Sequence, residues 1–139
     1  MQERTLSNFL IELERKVLYN CDTDQKKGEP TMSLTVNLYY TGENGNALKF
    51  VKEMEESGIA AAIRAEDGNV KYNYFQSLAD PETVLLIDAW RDQKALDDHH
   101  ASPMMQQLAA LRDKYDLHMR VERYVTAEDY AADHQFIRQ

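Results

Sequence analysis

Cysteine is almost absent from this chain. Cys21 is the only one, so neither an intramolecular disulfide nor a thiolate-built metal site can form, and its expected role is that of an ordinary reduced thiol. Positive charge is scarce too: 16 lysines and arginines stand against 24 acidic residues, a formal net charge of -8. That balance argues against nucleic acid and against an anionic membrane as partners, because both need positive surface. No apolar run approaches the length that spans a bilayer. The opening Met-Gln-Glu-Arg-Thr-Leu lacks the basic-then-apolar layout of a signal peptide, so a cytoplasmic protein with no membrane partner is expected. Internal repeats and low-complexity stretches are also missing.

What remains is enough for one domain with its own core: 139 residues, 43% hydrophobic and 9% aromatic. Leu6, Phe9, Leu10, Leu13 and Val17 recur at helical spacing, which predicts an amphipathic helix over residues 1 to 20. A linker rich in Asp, Gln, Lys, Gly, Glu and Pro follows to residue 31. This first segment, 1–31, is expected either to be an added element that covers the domain or its partner, or to precede a true start at Met32. Ser33 to Tyr40 reads as a strand, with a turn at Thr-Gly-Glu-Asn-Gly. A single helix is predicted from about Asn46 to Ala65, with Ala47, Phe50, Val51, Met54, Gly58, Ala61 and Ala65 along one face. Glu66 to Gly68 ends it.

The stretch from Gly68 to Leu108 organises the rest. Val70 to Leu78 and Thr83 to Trp90 are β-rich runs joined by Ala-Asp-Pro-Glu, whose Asp-Pro step bends the chain, so they form a hairpin. A helix then starts near Gln93, carries Leu96, His99 and His100 on one side, and breaks before Pro103. Ser102 and Pro103 read as N-cap and first position of a further helix, which continues through Met104, Leu108 and Leu111 to about Lys114. Met104 and Met105 read as core filler. His118 to Val125 is the last strand of the domain, 32–125, and residues 126–139 form a tail that is a short helix or a clasp.

The order is β-α-β-β-α-β, the ferredoxin-like arrangement of the α+β class, with two helices on one face of a four-stranded sheet. The other face is too apolar for water, since Val84, Leu85, Leu86 and Ile87 are hydrophobic on both sides of the strand, so a second copy is expected to bury it in a homodimer.

The ordered motifs Gly-x-x-x-Tyr-x-x-Phe-Gln-Ser-x-x-Asp-Pro, Leu-Leu-Ile-Asp-Ala-Trp-Arg-Asp and Ala-Leu-Asp-Asp-His-His-Ala-Ser-Pro resemble the antibiotic biosynthesis monooxygenase domain, over roughly Ser33 to Val125. The resemblance implies a dimeric α/β barrel and a cofactor-free monooxygenase that oxidises a quinol or related phenol with dioxygen. It also implies a pocket between sheet and helices, with Tyr72 and Trp90 as substrate-binding residues and His99 before Ala-Ser-Pro. Asn37, a polar residue inside the apolar first strand, stands where relatives often carry a polar pocket residue. Strand alternation puts Tyr72 and Tyr74 on one face and Asn73 and Phe75 on the other without deciding which pair meets the pocket.

Such chemistry needs a base, a dry aromatic pocket and donors for the developing anion. His99 is the expected catalytic base, because desolvation favours its neutral ring; Trp90 and Tyr72 bound the pocket, and Asn37 holds a substrate oxygen. The plainer readings are that His99 caps or packs the broken helix, that His100 faces solvent or an interface, and that Trp90 and Tyr72 are core. A metal site at Asp97, Asp98, His99 and His100 is rejected, since neighbours on a helix diverge by about 100°. Three other functions fit the same resemblance. An isomerase of a phosphorylated signalling sugar would need basic residues, for which Arg64, Arg91 and Arg120 are available. A haem-degrading enzyme would need a deeper axial histidine, where Gln106, Gln107 and Ala109 stand. The third is a dimeric binding module without turnover.

Overall fold

The structure is a computed structural model and describes residues 32–139. The predicted N-terminal helix and its linker lie outside the described residues. Four strands, β1 (Leu34–Thr41), β2 (Asn69–Gln76), β3 (Thr83–Trp90) and β4 (His118–Val125), form one antiparallel sheet in the order β2-β3-β1-β4. Helices α1 (Asn46–Glu56) and α2 (Ile59–Arg64) join β1 to β2, and α3 (Gln93–His100) and α4 (Met104–Lys114) join β3 to β4. This is the ferredoxin-like α+β arrangement. The sheet is open, with β2 and β4 at its edges.

Register assigns the two faces. Tyr40 opposes Val84, Leu38 opposes Leu86 and Val36 opposes Asp88, while Tyr72 lies across from Asp88 and Tyr74 from Leu86. These residues share the face under the helices, where Tyr40, Phe50, Met54, Ile63, Tyr72, Leu86, Trp90, Leu96 and Leu108 make the core. Each large side chain removed from water there contributes roughly 1.5–3 kcal/mol. The opposite face carries Thr35, Asn37, Tyr39, Asn73, Phe75, Leu85 and Ile87.

Two local expectations need correction. The helix predicted from Asn46 to Ala65 is two helices, because Gly58 takes φ 84 and stands as N-cap of α2. That left-handed residue turns the chain, so Ala60 and Ile63 are buried while Ala61 and Ala65 are exposed. Ser102 is not a side-chain cap. Pro103 occupies the N-cap position of α4 without a side-chain hydrogen bond, and Ser102 contributes only its carbonyl, which accepts from Met105 N at 3.2 Å. The tail holds an exposed 3-10 helix, Ala131–Phe136.

Candidate active site

Between the sheet and α3 and α4 lies a cavity of about 300 Å³, at the small end of the range for ligand sites. Its walls are mostly apolar: Val36 and Leu38 from β1, Leu86 from β3, Leu96 from α3, Met105 and Leu108 from α4, and Val121 from β4. Set into them are Tyr40, Tyr72, Asp88, His99 and Arg112, with His100 and Arg123 also on the lining.

His99 is placed by a cap and a turn. Asp92 accepts a hydrogen bond from Ala95 N at 2.8 Å and so starts α3, which carries Ala95, Leu96 and His99 on its buried side. His99 is 3% exposed. Its Nδ1 sits 3.0 Å from Glu66 Oε2 in the turn before β2. A carboxylate only accepts, so Nδ1 carries the hydrogen and the neutral ring keeps its lone pair on Nε2. Gly68, two residues on from Glu66, holds φ 84, and a Cβ there would stand 2.4 Å from Ala95 Cβ. The turn and the helix therefore meet only because residue 68 has no side chain.

Asp88 is the other acid–base group. It is buried in the middle of the most apolar strand, and its Oδ1 accepts from Trp90 Nε1 at 2.7 Å. Burial pushes its carboxyl up from the ordinary 3.8 to about 7; the Trp90 hydrogen bond works against that rise and the charge of Glu66 adds to it. The group is thus divided between its acid and its anion near neutral pH. Trp90, fully buried, packs its ring against His99 with centroids 4.7 Å apart and planes at 27°.

The phenols stay neutral. Burial raises Tyr72 and Tyr74 well above an ordinary phenol, and Tyr74 OH donates to Tyr72 OH at 3.3 Å. Burial also raises Tyr40, while the Arg112 guanidinium, which donates from Nη2 to Tyr40 OH at 3.1 Å, pulls it back.

Of the four residues singled out from sequence, Tyr72 and His99 line the cavity. Trp90 is fully buried and not on the lining, and it touches both His99 and Asp88. Asn37 is not brought together with them: it opposes Ile87 on the far face of the sheet, with Oδ1 buried and without a hydrogen-bond partner among the described residues. Asp88, Glu66, Tyr40 and Arg112 were missed. Asp88 had a readable signal, an acid inside Leu-Leu-Ile-Asp-Ala-Trp at the same strand parity as Leu86 and Trp90. Arg64, Arg91 and Arg120 are bound to Glu55, Asp67 and Glu122 and do not line the cavity. Gln106, Gln107 and Ala109 are exposed, and α4 presents Met105, Leu108 and Arg112 to the cavity instead. Among the described residues, no helix is long and apolar enough to cross a membrane.

Fold and site together define a ferredoxin-like domain with an acid-bearing apolar cavity sized for a small molecule. Residues 33–111 match the antibiotic biosynthesis monooxygenase family. That is more than half of the 139 residues, so the chain belongs to that family. It is 27% identical over 56 residues to YcnE of Bacillus subtilis (strain 168), provisionally named a monooxygenase. The match takes in 40% of this chain and 59% of that relative, so the chain spans about three fifths of the curated relative it matches. Among solved structures, PA3566 from Pseudomonas aeruginosa superposes with a TM-score of 0.62 at 22% identity, over 73% of this chain and all (100%) of that one. SnoaB, a cofactor-independent oxygenase from Streptomyces nogalater, superposes with 0.59 at 17% identity, over 72% and 97%. At these identities the likeness is one of fold.

Proposed function

We propose that this protein is a cofactor-independent monooxygenase that oxidises a quinol or related phenolic small molecule with dioxygen. The observation that carries the reading is one mostly apolar cavity lined by both His99 and Asp88, with the same indole stacked on the first and hydrogen-bonded to the second. A phenol becomes reactive toward dioxygen when it loses its proton. His99 is the catalytic base, since Glu66 fixes its Nδ1 hydrogen and frees Nε2 to accept. Tyr72 binds substrate at the wall, and Trp90, which is not on the lining, serves the pocket through its contacts with His99 and Asp88. Asp88 returns a proton to the reduced oxygen, a task suited to an acid that titrates near 7. The step balances with one dioxygen: the substrate gives four electrons, one oxygen atom becomes the new ring hydroxyl, and the other leaves as water. A quinol is thereby converted to a hydroxyquinone. In this reading Asn37 serves the far face of the sheet, which a second copy covers in a cytoplasmic homodimer; residues 1–31 are an added element, 32–125 the catalytic domain and 126–139 a tail.

Oxygen uptake by purified, metal-free protein with a panel of reduced quinols, corrected for autoxidation, tests the assignment. Uptake that requires protein and disappears in His99→Ala is the expected result. No uptake across the panel would sink the oxygenase reading in favour of a binding module without turnover.

A further inference from the structure

We propose that Arg112 and the Tyr40 hydroxyl it holds form a carboxylate subsite, so that the ligand of this cavity is an acidic phenol, a quinol ring bearing a carboxylate. The inference rests on the cavity assigned above and names the class of substrate it takes. The first observation is a cation without a counter-ion. Arg64, Arg91 and Arg120 each hold a carboxylate. Arg112 and Arg123, the two arginines on the cavity wall, hold none among the described residues, in a chain with 24 acidic side chains. Arg123 spends a donor on Gln93 Oε1. Arg112 gives Nη2 to Tyr40 OH at 3.1 Å and lies over the Tyr40 ring at 5.5 Å, while its Nε is buried with no partner among the described residues. A guanidinium taken partly out of water gains back its lost hydration only from acceptors, and a neutral phenol is a weak substitute for an anion.

The second observation is the spacing of these groups along the sheet. Tyr40, which Arg112 holds, opposes Val84, while Asp88 stands four residues further along β3, across from Tyr72 and bonded to the indole that packs on His99. Leu86 lies between Val84 and Asp88 on the same face, so the Arg112–Tyr40 pair and the Asp88–His99 pair meet the cavity at different places. A ligand that reaches both places has an anionic group at one end, a flat apolar ring against Leu86 and Leu108, and an ionisable hydroxyl at the other. A planar carboxylate suits the planar fork of a guanidinium. A sugar's many hydroxyls would find few partners on walls of valine, leucine and methionine.

The test is calorimetric titration of the intact protein, under anaerobic conditions, with gentisate and with hydroquinone, the same quinol with and without a carboxylate. Gentisate is expected to bind at least about tenfold more tightly. Arg112→Met should abolish that preference and leave the hydroquinone affinity within about twofold, and Arg112→Lys should restore part of it. Arg112→Gln replaces the methionine variant if the latter fails to fold. Equal affinities, a preference that survives loss of Arg112, or no binding of either compound would overturn the assignment. So would displacement of gentisate by inorganic phosphate at equal concentration, which would make the subsite a phosphate site. Because no turnover is measured, a carboxylate preference without oxygen uptake would leave this inference standing and remove the oxygenase reading. Uptake with neutral quinols and no preference would do the reverse.

Discussion

The imidazole of His99 lies against the indole of Trp90, centroids 4.7 Å apart, and the same indole donates its N–H to Asp88 at 2.7 Å. One buried side chain thus packs on the proposed base and holds down a carboxyl that burial raises. Trp90→Phe separates the two effects, because it keeps an aromatic face and deletes the donor. The Asp88 carboxyl, already at about 7, is expected to rise further once that hydrogen bond is gone. Stability should fall by about 1–3 kcal/mol, for a buried acceptor left unpaired and a smaller ring. Carbon NMR of the Asp88 carboxyl across pH reads the first effect and urea unfolding the second. An unmoved titration would show that Trp90 does not govern Asp88.

Gly68 makes a sharper structural prediction. Its φ of 84 and the 2.4 Å approach to Ala95 leave no room for a methyl group. Gly68→Ala is expected to lose about 2 kcal/mol or more, from strain and overlap together. The displaced Ala95 lies one helical turn before His99, so the Glu66 contact should loosen as well, seen as moved His99 ring resonances by proton NMR. Gly58→Ala is the control. Gly58 has the same φ but nothing within 4 Å, so only strain of roughly 1 kcal/mol should appear, with His99 unchanged.

The contrast between these glycines bears on how much the sequence disclosed. Residue types and periods placed every strand within two residues, and β3, Thr83–Trp90, and β4, His118–Val125, at their observed bounds. They also placed α3 from near Gln93, and the break before Pro103 that ends it is a local signal. The split of the first helix at Gly58 was not legible, because a glycine on a helical face fits a close approach and a left-handed turn equally well. Asn37 was assigned to the site from the resemblance and its polarity inside a strand, yet which face it occupies depends on register with β3, a non-local fact. Asp88 was readable by parity with Trp90. Arg112 was not, since an arginine in the last turn of a helix is already accounted for by the helix dipole.

The far face of the sheet carries Leu85, Ile87, Phe75 and Tyr39, with Asn37 Oδ1 buried there and without a partner among the described residues. If a second copy covers this face, Ile87→Lys should yield a monomer, because a lysine placed mid-sheet would bury an unpaired charge between the two copies. Sedimentation of wild type and variant measures the outcome, with circular dichroism confirming that the variant remains folded. A monomeric wild type would remove the dimer from the reading, and a dimeric variant would place the interface elsewhere.

Asp88 should leave a mark on stability as well as on activity. Its carboxyl is raised from 3.8 to about 7 by burial, so between those pH values the folded protein keeps a proton that the unfolded chain has released. Folding is then favoured by acid, and stability falls as pH rises through that window, by about 1.4 kcal/mol per unit of pKa difference. The total reaches a few kcal/mol and levels off above about pH 7. Carboxylates held low by cations, such as Glu55 beside Arg64, act in the opposite sense and at lower pH. Asp88→Asn keeps those and removes only the Asp88 contribution, whatever constant offset the amide brings through its contact with Trp90. Urea unfolding of both proteins at several pH values should therefore give a stability difference that shifts in favour of the variant as pH rises from 4 to 7. A difference that stays flat across the range would mean that Asp88 ionises as freely as an exposed aspartate, and it would remove that carboxyl from the proton chemistry of the cavity.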